Sequence, residues 1–156
     1  MERRNRGGRE RPQCTVCGWV YYAKNALGAA VMILSDGGRQ LLLVQRAHAP
    51  YRGWWMLPAG FVEYGDTAAD TAIREVAEET QLEVELTGLR GLYFGADDPR
   101  DAAHLAVYDA RIVGGRPHPG DDACAVAFFE PNELPERIAF QAHRQAIADW
   151  VRAATS

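Results

Sequence analysis

The sequence predicts a layered α/β domain, and three observations carry that expectation. Short apolar runs alternate with two segments of helical periodicity. Clusters of Gly, Pro, Asn and Asp punctuate them, and one helical segment pairs an apolar stripe with a dense acidic one. The chain has 156 residues, of which 47% are apolar and 24% charged, as befits a single globular domain with its own core.

The elements follow in order. Residues 1–12, MERRNRGGRERP, are basic and lack apolar side chains after Met1, so they read as a disordered arm. Residues 13–25 contain Cys14-x-x-Cys17-Gly18, the spacing of one zinc knuckle. A structural zinc site takes four ligands, and the remaining cysteine, Cys124, lies far along the chain. Three readings stay open: no metal, a zinc shared between two chains, or a site completed by histidine. An odd cysteine count gives no disulfide framework.

From residue 26 onward the main domain begins. Ala26 to Leu34 and Gln40 to Gln45 are apolar runs around the turn cluster Ser35-Asp36-Gly37-Gly38, and together they predict a hairpin. Trp54 to Leu57 predicts a short strand halted by Pro58, followed by a loop from Ala59 to Gly65. Asp66 or Thr67 can then cap a helix, with Thr67 and Asp70 forming a shortened capping box. On that helix Ala69, Ile73, Val76 and Thr80 make the apolar stripe. Leu89 to Phe94, His104 to Val113 and Ala123 to Phe129 predict three strands, with an Asp-rich loop at Gly95 to Asp101. Phe140 to Ala153 predicts the last helix, where Ala142, Ala146, Ile147, Trp150 and Val151 recur at helical spacing.

Glu75, Glu78 and Glu79 fall within an arc of roughly 100° on the first helix. Like charges so placed repel and weaken a bare helix. A hard divalent cation removes the repulsion, and oxygen-only ligands suit Mg²⁺. The segment from Gly60 to Leu82, GFVEYGDTAADTAIREVAEETQL, resembles the Nudix box through Gly60, Arg74, Glu75, Val76, Glu78, Glu79 and Leu82. It departs from the box at Asp66, where the family has Glu, and at Gln81, where it has Gly.

The resemblance covers roughly residues 26 to 152 and implies an α/β/α sandwich with a mixed sheet between helices. It implies a Mg²⁺-dependent hydrolase, with Mn²⁺ as a substitute, that cleaves the diphosphate of a nucleoside diphosphate conjugate. Glu75, Glu78 and Glu79 become the metal ligands. The general base becomes a box glutamate, Glu78 or Glu79, or else Asp122 in the run PGDDACAVAFF. Gly60, Asp66 and Arg74 support the motif, Arg74 by orienting an acid such as Asp66 or Asp70. Trp54, Arg52 and Glu63 are candidate substrate contacts. Tyr51, Tyr93, Phe94 and Phe140 are available aromatics, and Arg46 and Arg90 further cations for phosphate. His143 reads as a cap or surface residue.

The run CTVCGWVYYAKN resembles the second half of a zinc ribbon that precedes some Nudix domains. With GWWMLPAGFVEYGD and FFEPNELPERIAFQAH, it resembles the branch that cleaves ADP-ribose or FAD. No Ser-Gln-Pro-Trp-Pro-Phe-Pro run follows the box, which argues against NADH. A triphosphate pyrophosphohydrolase is the enzymatic alternative, and a non-catalytic ligand sensor the other. A net charge of −4 argues against a nucleic-acid partner. No apolar stretch suits a signal peptide or membrane span, so the cytoplasm is the expected compartment. Family members are often homodimers, and only the resemblance suggests that assembly here.

Overall fold

A computed structural model describes residues 1–97 and 102–156. The expected α/β/α arrangement is present. Two sheets and two helices enclose the core, with a separate hairpin at the N-terminus. Strands β3 (Ala26–Ile33), β6 (Ala59–Phe61), β7 (Leu82–Gly95) and β8 (Ala103–Gly115) form a mixed sheet in the order β6-β3-β8-β7. Only the β3–β8 pair within it is parallel. Strands β4 (Leu41–Arg46), β5 (Trp55–Met56) and β9 (Ala123–Phe129) form an antiparallel sheet in the order β5-β4-β9. Helix α1 (Ala68–Thr80) packs on β3, β6 and β7, and α2 (Gln141–Ala154) on β7 and β8.

Residues 26–45 correct one expectation. The turn after Ile33 does close like a hairpin, with the Ser35 N–H donating to the Gln40 carbonyl at 2.9 Å and a bridge from Leu34 to Leu41. Beyond it the strands part into different sheets. Both are apolar on each face, and their residues from Ala29 to Ile33 and from Leu41 to Val44 are almost fully buried. Strands covered on both sides are satisfied between layers as readily as within one. Strand β7 also starts at Leu82, directly after α1, where a predicted strand began only at Leu89.

Residues 1–12, expected as a disordered arm, form a hairpin instead: β1 (Glu2–Arg6) pairs with β2 (Arg9–Gln13). Gly7 and Gly8 form its two-residue turn with φ of 61° and 78°, the left-handed pair that a tight hairpin requires. The Cys14–Cys17 turn follows, closed by Gly18 N–H to the Cys14 carbonyl at 3.0 Å. Backbone N–H groups of Cys17 and Val16 lower the pKa of the Cys14 thiol. Among the described residues no third or fourth ligand joins the two cysteines. Asp98 and Asp101 of the expected acidic loop lie outside the described residues. Among those residues, no helix is long and apolar enough to cross a membrane.

Candidate functional site

Helix α1 begins at Thr67, whose hydroxyl oxygen accepts from the Asp70 N–H at 3.1 Å and donates to the Asp70 carboxylate at 2.7 Å. Thr67, not Asp66, is thus the cap. The helix then buries Thr71, Ala72, Val76, Glu79 and Thr80. This face is rotated from the predicted stripe, and Ile73 remains 40% exposed. Ala72, Val76 and Glu79 recur at i, i+4 and i+7, so the helical period drives Glu79 inward with the apolar side chains.

Glu79 is 5% exposed, and its Oε2 accepts from the Ala59 backbone N–H at 3.0 Å. Burial pushes its pKa up to about 8. The nearby Glu75 and Asp122 push the same way, against the Ala59 hydrogen bond and the Arg46 charge. Glu75 is also raised, first by burial and then by Glu78 and Asp122, with Arg74 opposing. Its carboxylate lies over β6, where Gly60 leaves room that a side chain would fill. Arg74 contacts Glu75 Oε1 at 3.0 Å, Glu78 Oε2 at 3.4 Å and Asp66 Oδ2 at 3.9 Å. It therefore orients the helix glutamates together with Asp66, while Asp70 belongs to the cap.

The segment after β8 closes the site. The N–H groups of His118 and Gly120 donate to the Thr80 and Glu79 carbonyls at 2.9 and 3.1 Å. That docking carries Asp122 to the mouth of a cavity of about 660 Å³. Glu63, Arg74, Glu75, Glu79, Gly60 and Asp122 line the cavity on the box side, and Asp97, Phe140 and His143 on the other. Arg46 stands between them, near enough to Glu79, Asp122 and His143 to act on their charges. Asp122 also lies 3.5 Å from His48. Glu78 does not line the cavity; Arg74 holds it at the rim.

The far end was only partly legible in the sequence. Arg46 is half-buried, and its guanidinium donates to the Pro50 carbonyl at 2.7 Å and to the Met56 sulfur at 3.4 Å. It stacks over Phe140 at 4.9 Å. Among the described residues neither of these hydrogen-bond partners is a carboxylate, and the Arg46 charge faces Glu79 and Asp122 across the cavity. His143 corrects the surface reading: it is 5% exposed, and its Nδ1 has no hydrogen-bond partner among the described residues. Burial, then the Arg46 charge, pushes its pKa down to about 3. Asp97 accepts from the Gln141 N–H, Tyr51 Oη and Arg144.

Trp54 and Arg52 do not line the cavity. Trp54 packs on Tyr51 with ring centroids 4.9 Å apart, and Arg52 is exposed. Arg90 is paired with Asp109 at 2.7 Å, and Tyr93 with Asp149 at 3.0 Å. The segment between β9 and α2 brings Phe140 over Arg46 at the end of β4 and buries His143 beside it, a long-range arrangement that no local pattern encodes.

The NUDIX domain family model matches residues 24–151. The chain belongs to the Nudix family. It is similar to an ADP-ribose pyrophosphatase of Methanocaldococcus jannaschii, 39% identical over 124 residues that span 79% of this chain and 72% of that protein. Its fold matches the crystal structure of a NUDIX hydrolase from Nitrosomonas europaea with a TM-score of 0.81 at 28% identity, covering 97% of this chain and 85% of that one. The NUDIX domain of Shewanella oneidensis NrtR, solved with ADP ribose, matches with a TM-score of 0.67 at 21% identity over 86% and 91% of the chains, a likeness of fold. The Nudix box is thus the segment from β6 through α1, and this chain is a Nudix hydrolase.

The donor set fits a hard divalent cation. Glu75, Glu79 and Asp122 are oxygen donors on one cavity wall, and burial with mutual repulsion raises the pKa of both helix glutamates. A cation relieves that repulsion. Among the described residues no group of three such side chains is placed to hold a metal ion as the chain stands, so these carboxylates would have to draw together around the cation.

Proposed function

We propose that this Nudix hydrolase cleaves the diphosphate of a nucleoside diphosphate conjugate, ADP-ribose before FAD, with release of AMP. The observation that carries the reading is a single cavity with crowded carboxylates at one end and an aromatic–imidazole wall at the other, bridged by Arg46. The M. jannaschii relative is named for the same substrate, and an ADP ribose complex exists for a protein of the same fold.

Glu75, Glu79 and Asp122 would hold the divalent cation, Mg²⁺ or Mn²⁺, with Glu78 joining from the rim. When bound, the cation screens the diphosphate charge, polarises a phosphoryl oxygen and makes hydroxide accessible near neutral pH. The Ala59 N–H fixes the Glu79 carboxylate, and Arg74 holds Glu75 and Glu78 in register along the helix. Arg46 reaches the bridging diphosphate as a half-buried cation. Asp122 accepts the proton of the attacking water at the cavity mouth. Phe140 supplies a plane for the base and His143 a neutral ring nitrogen for its edge. Glu63, exposed at the box end of the cavity, contacts the second half of the conjugate.

The test is product analysis with Mg²⁺ and a panel of ADP-ribose, FAD, NADH and nucleoside triphosphates, beside Glu79→Gln. AMP from ADP-ribose or FAD, lost in the variant, is the expected result. Pyrophosphate from a triphosphate would instead assign a pyrophosphohydrolase, and binding without turnover a sensor.

A further inference from the structure

The β1–β2 hairpin contributes to neither core cluster and to no wall of the cavity. Its register pairs Glu2 with Gln13, Arg4 with Arg11 and Arg6 with Arg9. Residues opposite one another in a ladder, and two apart along a strand, share a face. Arg4, Arg6, Arg9 and Arg11 therefore stand together on one face, while Arg3, Pro12, Asn5 and Glu10 take the other. The side-chain contacts agree: Arg4 meets Glu2 and Arg6 meets Gln13 across this face, each at 3.1 Å. Like charges directly opposite weaken a ladder, and an isolated two-stranded hairpin is marginal to begin with. Two Arg–Arg pairs in one short hairpin call for an external polyanion.

An aromatic ring borders the same face. The Gln13–Val20 bridge, with Tyr21 N–H donating to the Pro12 carbonyl at 2.8 Å, runs the following segment antiparallel to β2. Continuing that register sets Tyr22 beside Arg11, whose guanidinium carbon lies 4.5 Å from the ring centroid. Tyr22 is 54% exposed. Trp19 and Tyr21, with centroids 6.0 Å apart, alternate onto the opposite face. Charge follows the same division. Residues 1–24 carry six Arg and Lys against two Glu, a formal +4, which leaves −8 on the remainder of a chain whose total is −4. The overall charge conceals this segregation, so it does not exclude a polyanionic partner.

We propose that the face formed by Arg4, Arg6, Arg9, Arg11 and Tyr22 binds single-stranded nucleic acid. The guanidiniums take phosphates, and Tyr22 stacks on a base. Successive arginines on one strand are about 6.8 Å apart, a spacing suited to an extended backbone. A stacking platform beside cations selects unpaired bases, because a duplex keeps its base faces covered. This inference stands on the hairpin alone and is independent of the substrate proposed for the cavity.

The experiment is fluorescence anisotropy of labelled single-stranded RNA and DNA of about 12 nucleotides, titrated with the full chain across a salt series. Binding of either strand is expected, with log K falling against log salt at a slope of about −2 to −3, as three or four phosphate contacts give. Arg6→Gln with Arg9→Gln should roughly halve the slope, and Arg6→Lys with Arg9→Lys should retain it. The lysine pair guards against a misfolded hairpin. Tyr22→Ala should weaken binding about tenfold at unchanged slope, and Trp19→Ala should leave both unaltered. No binding at low salt overturns the proposal, as does a slope indifferent to the glutamine pair. Equal competition by duplex, together with no effect of Tyr22→Ala, also overturns it. So does concentration-dependent self-association in sedimentation without oligonucleotide binding, which would give this face to the acidic domain of a second copy.

Discussion

A methyl group on Gly60 would stand 2.2 Å from the carboxyl carbon of Glu75. The φ of Gly60 is not positive, so its backbone would accept alanine; the missing Cβ serves the glutamate above it. Gly60→Ala is therefore expected to fold but to displace the Glu75 carboxylate. A shift of about 1 Å at a reacting centre costs on the order of a hundredfold in rate. Steady-state kinetics across a Mg²⁺ titration should show that loss together with a higher metal requirement. A normal metal dependence would mean that Glu75 has other room to move.

Glu79 should make the metal-free protein sensitive to alkali. Its pKa is raised from 4.5 to about 8 in the folded state. Between those values the native state holds a proton that the unfolded state has released. Stability therefore falls as pH rises through that window. Thermal melts in chelator should show a lower Tm toward pH 8, Mg²⁺ should restore it, and Glu79→Gln should flatten the slope. A chelated wild type with a level profile would show that Glu79 ionises without penalty.

How much of this could be read in advance depends on how local the signal was. The acidic helix was legible because its spacing repeats at the helical period, and β9 was legible because seven apolar residues sit between turn signals. The rotation of the buried face was harder to see. Ile73 falls on the apolar stripe and Glu79 on the acidic one, yet Glu79 is buried in a stripe with Ala72 and Val76. Packing against β3 and β6 decided which stripe went inward. The hairpin is encoded by the Gly7-Gly8 turn, a signal that the basic, apolar-poor composition around it masks. Arg46 and His143 meet across almost a hundred residues of sequence, where local pattern carries no information.

His143 should set an acid limit on the fold. Burial lowers its pKa from 6.5 to about 3, so between those values the unfolded state binds a proton that the native state refuses. Stability contributed by neutral His143 is present above pH 6.5 and is lost as pH falls toward 3. Urea melts between those limits should show a declining midpoint in the wild type. His143→Leu should decline less steeply in the upper half of the window, where most carboxylates remain ionised. Parallel profiles for the two proteins would show that the imidazole titrates normally.

Gln81 holds the position that the family gives to glycine, and it does so at φ 59° and ψ 16°. A left-handed conformation costs an ordinary side chain about 1–2 kcal/mol. Glycine there removes that strain but adds about 0.5–1 kcal/mol of unfolded-state entropy. It also forfeits the contact from Gln81 Nε2 to His118 Nδ1 at 3.3 Å, an exposed hydrogen bond of small worth. The balance favours Gln81→Gly by up to about 1 kcal/mol, a Tm increase of roughly 2–4 °C for a domain of this size. Gln81→Val should move the other way, because a branched Cβ fits the left-handed region worst. The same cap orients the segment that brings Asp122 to the cavity, since His118 and Gly120 bond to the last carbonyls of α1. If Gln81→Gly raises Tm but lowers kcat, the side chain is positioning that segment, and its strain is retained for the sake of Asp122. If Tm falls instead, the contact with His118 outweighs the backbone strain, and the departure from glycine is a stabilising one.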